Sequence, residues 1–269
     1  RMTQWRKIDG GRQTLPDLQH MLDDLATPLI LTGIEYIQNT PDTFSGAYYD
    51  YELDRAIILA KHKERHILIS ISSQRGTSGV GKKGVILGRD QNLDYIYTGK
   101  PGLNMTGLGW VRSYMYDSHA VAVYCQTDSD RAAVKVGFFK WVRAGWANLN
   151  IVRSDHIYSG LKRFIPIYKS ILESSKITDI KTVERLWQGL NTLTDNQLRL
   201  ATGAHFKNMA EYYTDPSGSA GRIIRATLLD PDYINNFDRL EMQSLLLVEY
   251  AKELLGLAVH TELDQLMLD

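Results

Sequence analysis

A single cysteine, Cys125, stands among the 269 residues. One thiol excludes an intramolecular disulfide and any multi-cysteine metal site. Net charge is also missing: 31 lysines and arginines balance 31 aspartates and glutamates. No global field therefore steers the chain toward nucleic acid or an anionic membrane. No apolar run approaches the roughly 18–20 residues of a membrane-spanning helix. A signal-peptide pattern, an internal repeat and a low-complexity segment are likewise absent. The chain opens on Arg1 rather than methionine, which leaves room for a segment removed upstream. Its fifteen tyrosines, with many Asn, Thr and Asp, favour an exported or periplasmic setting over the cytoplasm.

What is present is a globular composition, 43% hydrophobic, in a chain long enough for one large domain or two ordinary ones. The nearest approach to a named motif is Gly76-Thr-Ser-Gly-Val-Gly81-Lys82-Lys83. It is one residue short of the phosphate-binding loop G-x-x-x-x-G-K-[ST]. Lys83 stands where the hydroxyl that ligates magnesium belongs. The apolar run Gly84 to Gly88 that follows reads as a strand closed by a turn, whereas a phosphate loop must open a helix. A basic loop between strands is expected here, without nucleotide.

Leu15 to Leu25 carries a helical stripe. From Leu29 to about Arg143 the pattern changes to short alternating runs: Ala56–Ala60, His66–Ile71, Leu93–Tyr97, Leu108–Tyr116, His119–Gln126 and Ala132–Arg143. The turns between them, such as His62–Arg65 and Asp117-Ser118, are too short for parallel crossovers. About seven or eight antiparallel strands in a meander are expected, curling strongly or closing. Ser154 to Glu173 then follows as an amphipathic helix, with Ile157, Leu161, Phe164, Ile165, Tyr168, Ile171 and Leu172 on one stripe and a kink from Pro166. Leu161 and Phe164 are expected to be buried against the sheet. The rest is helical: Thr182–Leu193, a helix opened by the capping box Thr194-Asp-Asn-Gln197, a turn at Asp230-Pro231, and Phe237–Val259.

The chemical constellations fail one by one. In His62-Lys-Glu-Arg-His66 a lysine replaces the glutamate of a zinc H-E-x-x-H. Asp50, Glu52 and Asp54 imitate a calcium loop, but Arg55 takes the glycine position and Lys61 the final glutamate. Ser78 lacks the second glycine of a nucleophile elbow. Cys125 shares a strand face with Val121 and Val123 and is expected as an inert core thiol. Asn104-Met-Thr106 is a glycosylation sequon, meaningful only in a eukaryotic secretory pathway. No catalytic group, metal ligand or cofactor site is assigned.

One region stands apart. Arg131 to Arg163 holds seven basic residues and one acidic, interleaved with Phe138, Phe139, Trp141 and Trp146. Asp230 to Asp269 holds nine carboxylates against two basic residues. Such a split marks surfaces that dock on each other or on partners. In the strand Ala132–Arg143, Phe138 and Lys140 share one face, and Lys135, Phe139, Trp141 and Arg143 the other. Both faces are largely apolar, so cover is expected on both.

The fold class read from these patterns is α+β: a strongly curved antiparallel sheet gripped by a kinked helix, followed by an all-helical C-terminal region. The division expected is 1–175 for the sheet with its helices and 176–269 for the helical part. Curved sheets with a long helix often hold apolar ligands. The leading expectation is therefore non-enzymatic binding of a small, largely apolar, lipid-like anion, with Trp110, Arg112, Tyr114, Phe138 and Lys140 as lining. The alternative is a scaffold that uses the basic-aromatic surface at 131–163 to meet a protein partner. Nucleic acid is not an expected partner, because single-strand binding leans on phosphate electrostatics that a neutral chain lacks.

Overall fold

The computed structural model describes residues 2–4, 27–41, 46–89, 92–105, 109–128, 133–174, 180–213 and 219–261. The expected helix at Leu15–Leu25 lies outside them. Eleven described strands occur: β1 (Met2–Gln4), β2 (Leu29–Gln38), β3 (Ala47–Tyr48), β4 (Asp50–His62), β5 (Arg65–Gln74), β6 (Lys82–Ile86), β7 (Tyr95–Pro101), β8 (Leu103–Met105), β9 (Gly109–Val111), β10 (Tyr114–Gln126) and β11 (Val134–Gly145). The helices are α1 (Ser154–Leu172), α2 (Ile180–Thr192), α3 (Asp195–Tyr212), α4 (Ser219–Leu228) and α5 (Arg239–Leu255), with a 3-10 turn at Tyr233–Asn236. The class is α+β, as the change of period near residue 150 implies.

The chain forms two compact units, each discontinuous in sequence: residues 1–39, 48–81 and 102–158, and residues 40–47, 82–101 and 159–269. The first unit is built on a six-stranded antiparallel sheet of order β1-β2-β4-β5-β10-β11. It does not close, since β1 and β11 stand at opposite ends. Nor is it a simple meander, because β10 pairs with β5 after the intervening strands have gone into smaller sheets of order β3-β6-β7 and β8-β9. The hairpin of β4 and β5 turns at Lys63-Glu64, with Lys63 in the left-handed region (φ 55°).

The turn expected at Asp117-Ser118 is absent. Both residues stay paired within β10, opposite Arg143 and Val142, and the register shifts just before them in a β-bulge. Arg143 Nε reaches Asp117 Oδ2 at 2.7 Å, so an acidic residue that reads as turn chemistry serves a cross-strand ion pair instead. The strand expected from Leu108 to Tyr116 is in turn broken at Arg112-Ser113. Ser113 is buried and its carbonyl accepts from the Gly81 amide at 2.7 Å.

Helix α1 forms where the stripe predicts it, with Asp155 in its first turn and Pro166 inside. The expected burial of Leu161 and Phe164 is not found. No residue of α1 is buried; Leu161 is half-buried and Phe164 is 38% exposed. Ser159, Lys162, Arg163, Lys169 and Ser170 share one side of the helix, and on the apolar stripe opposite them Phe164, Ile165 and Leu172 stay exposed.

The second unit has its own core, in which Leu186, Leu190, Leu198, Met209, Leu228, Met242 and Leu246 pack with Leu87 and Ile96 around the sheet strands β6 and β7. Phe206 sits at its centre, 4.8 Å from the Tyr233 ring and 5.1 Å from Phe237. The capping box at Thr194 and Gln197 is formed in both directions. A second box, Asp238 with Glu241, starts α5 two residues later than the apolar pattern alone suggests. Gly256, left-handed at φ 71°, ends it by capping the Glu253 and Lys252 carbonyls.

Candidate functional site

Strand register sorts the large sheet into two faces. One carries the cross-strand rows Gly33–Arg55–Ser72–Ala120–Lys140 and Leu31–Ile57–Ser70–Ala122–Phe138. On it Arg55 pairs with Glu35 and donates to Ser70 Oγ at 2.9 Å. The opposite face carries Thr32–Ala56–Ile71–Val121–Phe139 and Ile30–Ile58–Ile69–Val123–Gly137. These two outer rows are almost wholly apolar, and none of their members is buried. Cys125 lies on this outer face beside Lys135 and is only half-buried, not the core thiol expected.

The five residues expected to line a ligand site are placed as follows. Phe138 and Lys140 are neighbours on the inner face of β11, half-buried and exposed respectively. Tyr114 begins β10 and stacks on Tyr116 at 6.3 Å. Trp110 belongs to the separate β8-β9 pair; its indole lies over Gly102, where a Cβ would stand 2.3 Å from Nε1. Arg112 is exposed in the break between β9 and β10. The structure thus brings Phe138 and Lys140 together and distributes the other three.

Strand β11 is not covered on both faces as its composition predicts. Val134, Val136, Phe139 and Trp141 are each 50–56% exposed. The reason is its place in the sheet: β11 has β10 on one side and is the end strand on the other. On its outer face the Arg143 guanidinium lies 4.9 Å above the Tyr116 ring.

The loop that resembles a phosphate-binding motif bonds two of its amides internally. The Ser78 amide donates to the Met115 carbonyl at 2.9 Å and Ser78 Oγ accepts from the Met115 amide. The Gly81 amide is bonded as well, and strand β6 rather than a helix follows, so the loop lacks the helix N-terminus of a phosphate site. His62 and His66 are exposed on the β4-β5 hairpin, and Glu52 and Asp54 pair with Arg75. Among the described residues no group of three or more His, Cys, Asp or Glu side chains has a metal-holding arrangement.

The second unit contains a group that the sequence patterns do not single out. Lys252, fully buried on α5, donates from Nζ to Asp94 Oδ1 and to Glu249 Oε1, each at 2.6 Å. Tyr213 OH donates to Asp94 Oδ2 at 2.5 Å, and the His260 amide donates to Glu249 Oε2. His205 Nδ1 lies 3.1 Å from Thr261 Oγ1. His260 Nε2 sits 3.3 Å from Asp94 Oδ1 but outside hydrogen-bond alignment, and His205 Nε2 has no partner. Burial tends to raise the Asp94 pKa, but His260, Lys252 and Tyr213 outweigh it and hold the carboxyl below its ordinary value. Burial, helped by the proximity of His260 and Lys252, pushes His205 down to about 3, so its ring is neutral. Burial and the bond to Asp94 drive the Tyr213 phenol upward.

Beside this network Asn208, Glu211, Tyr212, Val259, His260 and Thr261 line a cleft of about 500 Å³. His260 joins the two, its ring 5.0 Å from that of Tyr212. Thr261 and Glu249 both approach Nδ1 of His205, so these three do not form a nucleophile–base–carboxylate relay, which needs both ring nitrogens. Tight mutual pairing makes the network a lock between α5 and the loop before β7. Its sequence signal is Glu249 and Lys252 on the Met242–Leu246 stripe of α5, where an apolar pair belongs.

No protein-family model, no curated protein and no solved structure matches this chain.

Proposed function

We propose that the first unit is a docking module that joins polypeptides by strand addition at the β11 edge. The observation that carries this is the twelve-residue end strand with large apolar side chains half exposed on both faces. Natural sheets shorten, twist or cover such edges, because an open ladder templates further pairing. Main-chain hydrogen bonds supply affinity in strand addition and alternate side chains supply specificity. The outer apolar rows continue from Phe139 across the sheet and extend the contact beyond one strand.

Among the described residues, backbone partners on this edge stand at its far end. Ala144 donates its amide to Asn150 Oδ1 at 3.2 Å and accepts at its carbonyl from the Ile151 amide at 2.9 Å. Both groups of Ala144 therefore point away from β10. Alternation along an antiparallel strand turns those of Val142, Phe138 and Val136 the same way. A proline at 136 removes an outward donor and leaves the β10 ladder intact. A fluorescein-labelled peptide of residues 134–143 should bind saturably to the protein and fail to bind the Val136→Pro variant. Equal binding by that variant, or no saturable binding, overturns the proposal.

A second reading is carriage of an anionic amphiphile. It draws support from the inner face, where the small residues Ser70, Ser72, Ala120 and Ala122 lie between Phe138 with Lys140 and Ile57 with Arg55. It requires the sheet to curve strongly and the proline-bearing helix α1 to grip it. Saturable binding of a fluorescent fatty-acid probe, weakened by Lys140→Ala, would favour it over docking.

A further inference from the structure

We infer that the strand added at β11 is β11 of a second copy of this chain, antiparallel across a two-fold axis that passes beside Phe138. This rests on the strand-addition reading and names its partner.

Consider two β11 strands paired edge to edge. A two-fold axis perpendicular to the sheet keeps each face on its own side and makes the contact isologous. Directly opposed residues must then belong to the same face, so the axis falls beside a residue, not between two. Charge and the free length of the edge choose which residue. The strand carries Lys135, Lys140 and Arg143 and no carboxylate. With the axis at Lys140, that lysine faces its own copy. At Phe139, Lys135 faces Arg143 on both sides, and the register also requires the edge of Ala144, already bonded to Asn150 and Ile151. Like charges directly opposed are destabilising.

With the axis at Phe138 these conflicts disappear. Lys135 faces Trp141 of the second copy, Lys140 faces Val136, Val134 faces Val142, and Phe138 faces itself. Phe139 falls opposite Gly137. That glycine lies in an otherwise apolar row, and the space above it is open: a Cβ there meets only the Phe139 ring of its own chain, at 3.7 Å. An aromatic side chain laid across a strand glycine from the neighbouring strand is a recognised stabilising pair. Lys135 against an indole adds a cation–π contact. Moving the axis on to Gly137 shortens the paired stretch and sets glycine against glycine. Phe138 is therefore the longest register free of opposed like charges. The four exposed large apolar side chains of β11, Val134, Val136, Phe139 and Trp141, all gain cross-strand partners. The two outer apolar faces also merge into one surface twice as wide. With zero formal net charge and an isoelectric point near 7.2, nothing at neutral pH drives two copies apart at long range.

The register makes a disulfide test possible. Opposed Cα atoms in an antiparallel pair lie about 4.5–5.5 Å apart, within disulfide reach. In a Cys125→Ser background, Phe138→Cys should form a covalent dimer under mild oxidation. Val136→Cys and Lys140→Cys should cross-link only when mixed with each other, and Phe139→Cys should form no cross-link. Light scattering on the unmodified chain at micromolar concentration should give twice 30.6 kDa, and Val136→Pro should return the single mass. A monomer throughout with no cross-link at 138 overturns the self-pairing. If the labelled 134–143 peptide still binds in that case, strand addition survives with a different partner; if it does not, both fall. A dimer that cross-links through Phe139→Cys instead overturns the register.

Discussion

Replacing Lys252 by methionine keeps the stem that packs in the second unit and deletes the ammonium. Two carboxylates, Asp94 and Glu249, each lose a 2.6 Å charge-assisted bond in a fully buried site. Breaking a buried pair by removing one partner typically costs about 3–5 kcal/mol, because the remaining charge is uncompensated. Here two carboxylates remain, so the upper half of that range is expected at neutral pH. The pH dependence is the sharper signature. In the native protein Asp94 is held below its ordinary pKa, so its contribution is present above about pH 3.9, the unfolded value, and is lost as pH falls through the folded one. In Lys252→Met a carboxylate left without its cation has a folded pKa raised above the unfolded value. That contribution is complete below the unfolded pKa and fades as pH rises through the folded one. The deficit of the variant should therefore shrink steadily from pH 7 to pH 4. Urea unfolding followed by far-UV circular dichroism, which the helices dominate, measures both quantities. Adding Glu249→Gln to Lys252→Met should restore part of the loss, since it removes one of the stranded charges. A deficit below about 1 kcal/mol at pH 7, the scale of a surface change, or one that does not vary with pH, would refute the charge network as described.

His205, buried and held neutral to about pH 3, binds its proton only in the unfolded chain between about pH 6.5 and 3. Stability should fall as the solution is acidified through that window, by on the order of 4 kcal/mol at its lower end, and His205→Gln should flatten the slope in urea titrations. Gly81→Ala sets a Cβ 2.5 Å from the Tyr49 ring and 2.7 Å from Ser113 Oγ, an overpacking worth about 1–3 kcal/mol; an unchanged thermal midpoint would show that the loop is not pinned. Thr194→Ala removes the capping box of α3 and should cost about 0.5–2 kcal/mol in the same denaturation assay.

Local signals in the sequence determined a good deal. Period-two patterning located β4, β5, β10 and β11, the seven-residue stripe located α1, and Thr194 with Gln197 located the start of α3. That a strand follows the phosphate-like loop was legible as well, since the apolar run after it is a sequence fact. Each of these depends on neighbours a few residues apart along the chain. What depends on distant partners was not legible. Asp117-Ser118 has turn chemistry, yet Arg143 across the sheet keeps it in a strand. Apolar residues on both sides of β11 read as a doubly covered strand, because composition cannot tell a buried central strand from an open edge awaiting cover. Of the expected site residues, Phe138 and Lys140 share a face by alternation alone, whereas the place of Trp110 depended on where the chain broke at Arg112-Ser113. The buried network is the clearest case: Asp94 and Lys252 lie 158 positions apart. The stripe of α5 marks Lys252 as internal but nothing local marks Asp94, and only tertiary structure could bring an ammonium to two carboxylates closely enough to offset the cost of taking all three out of water.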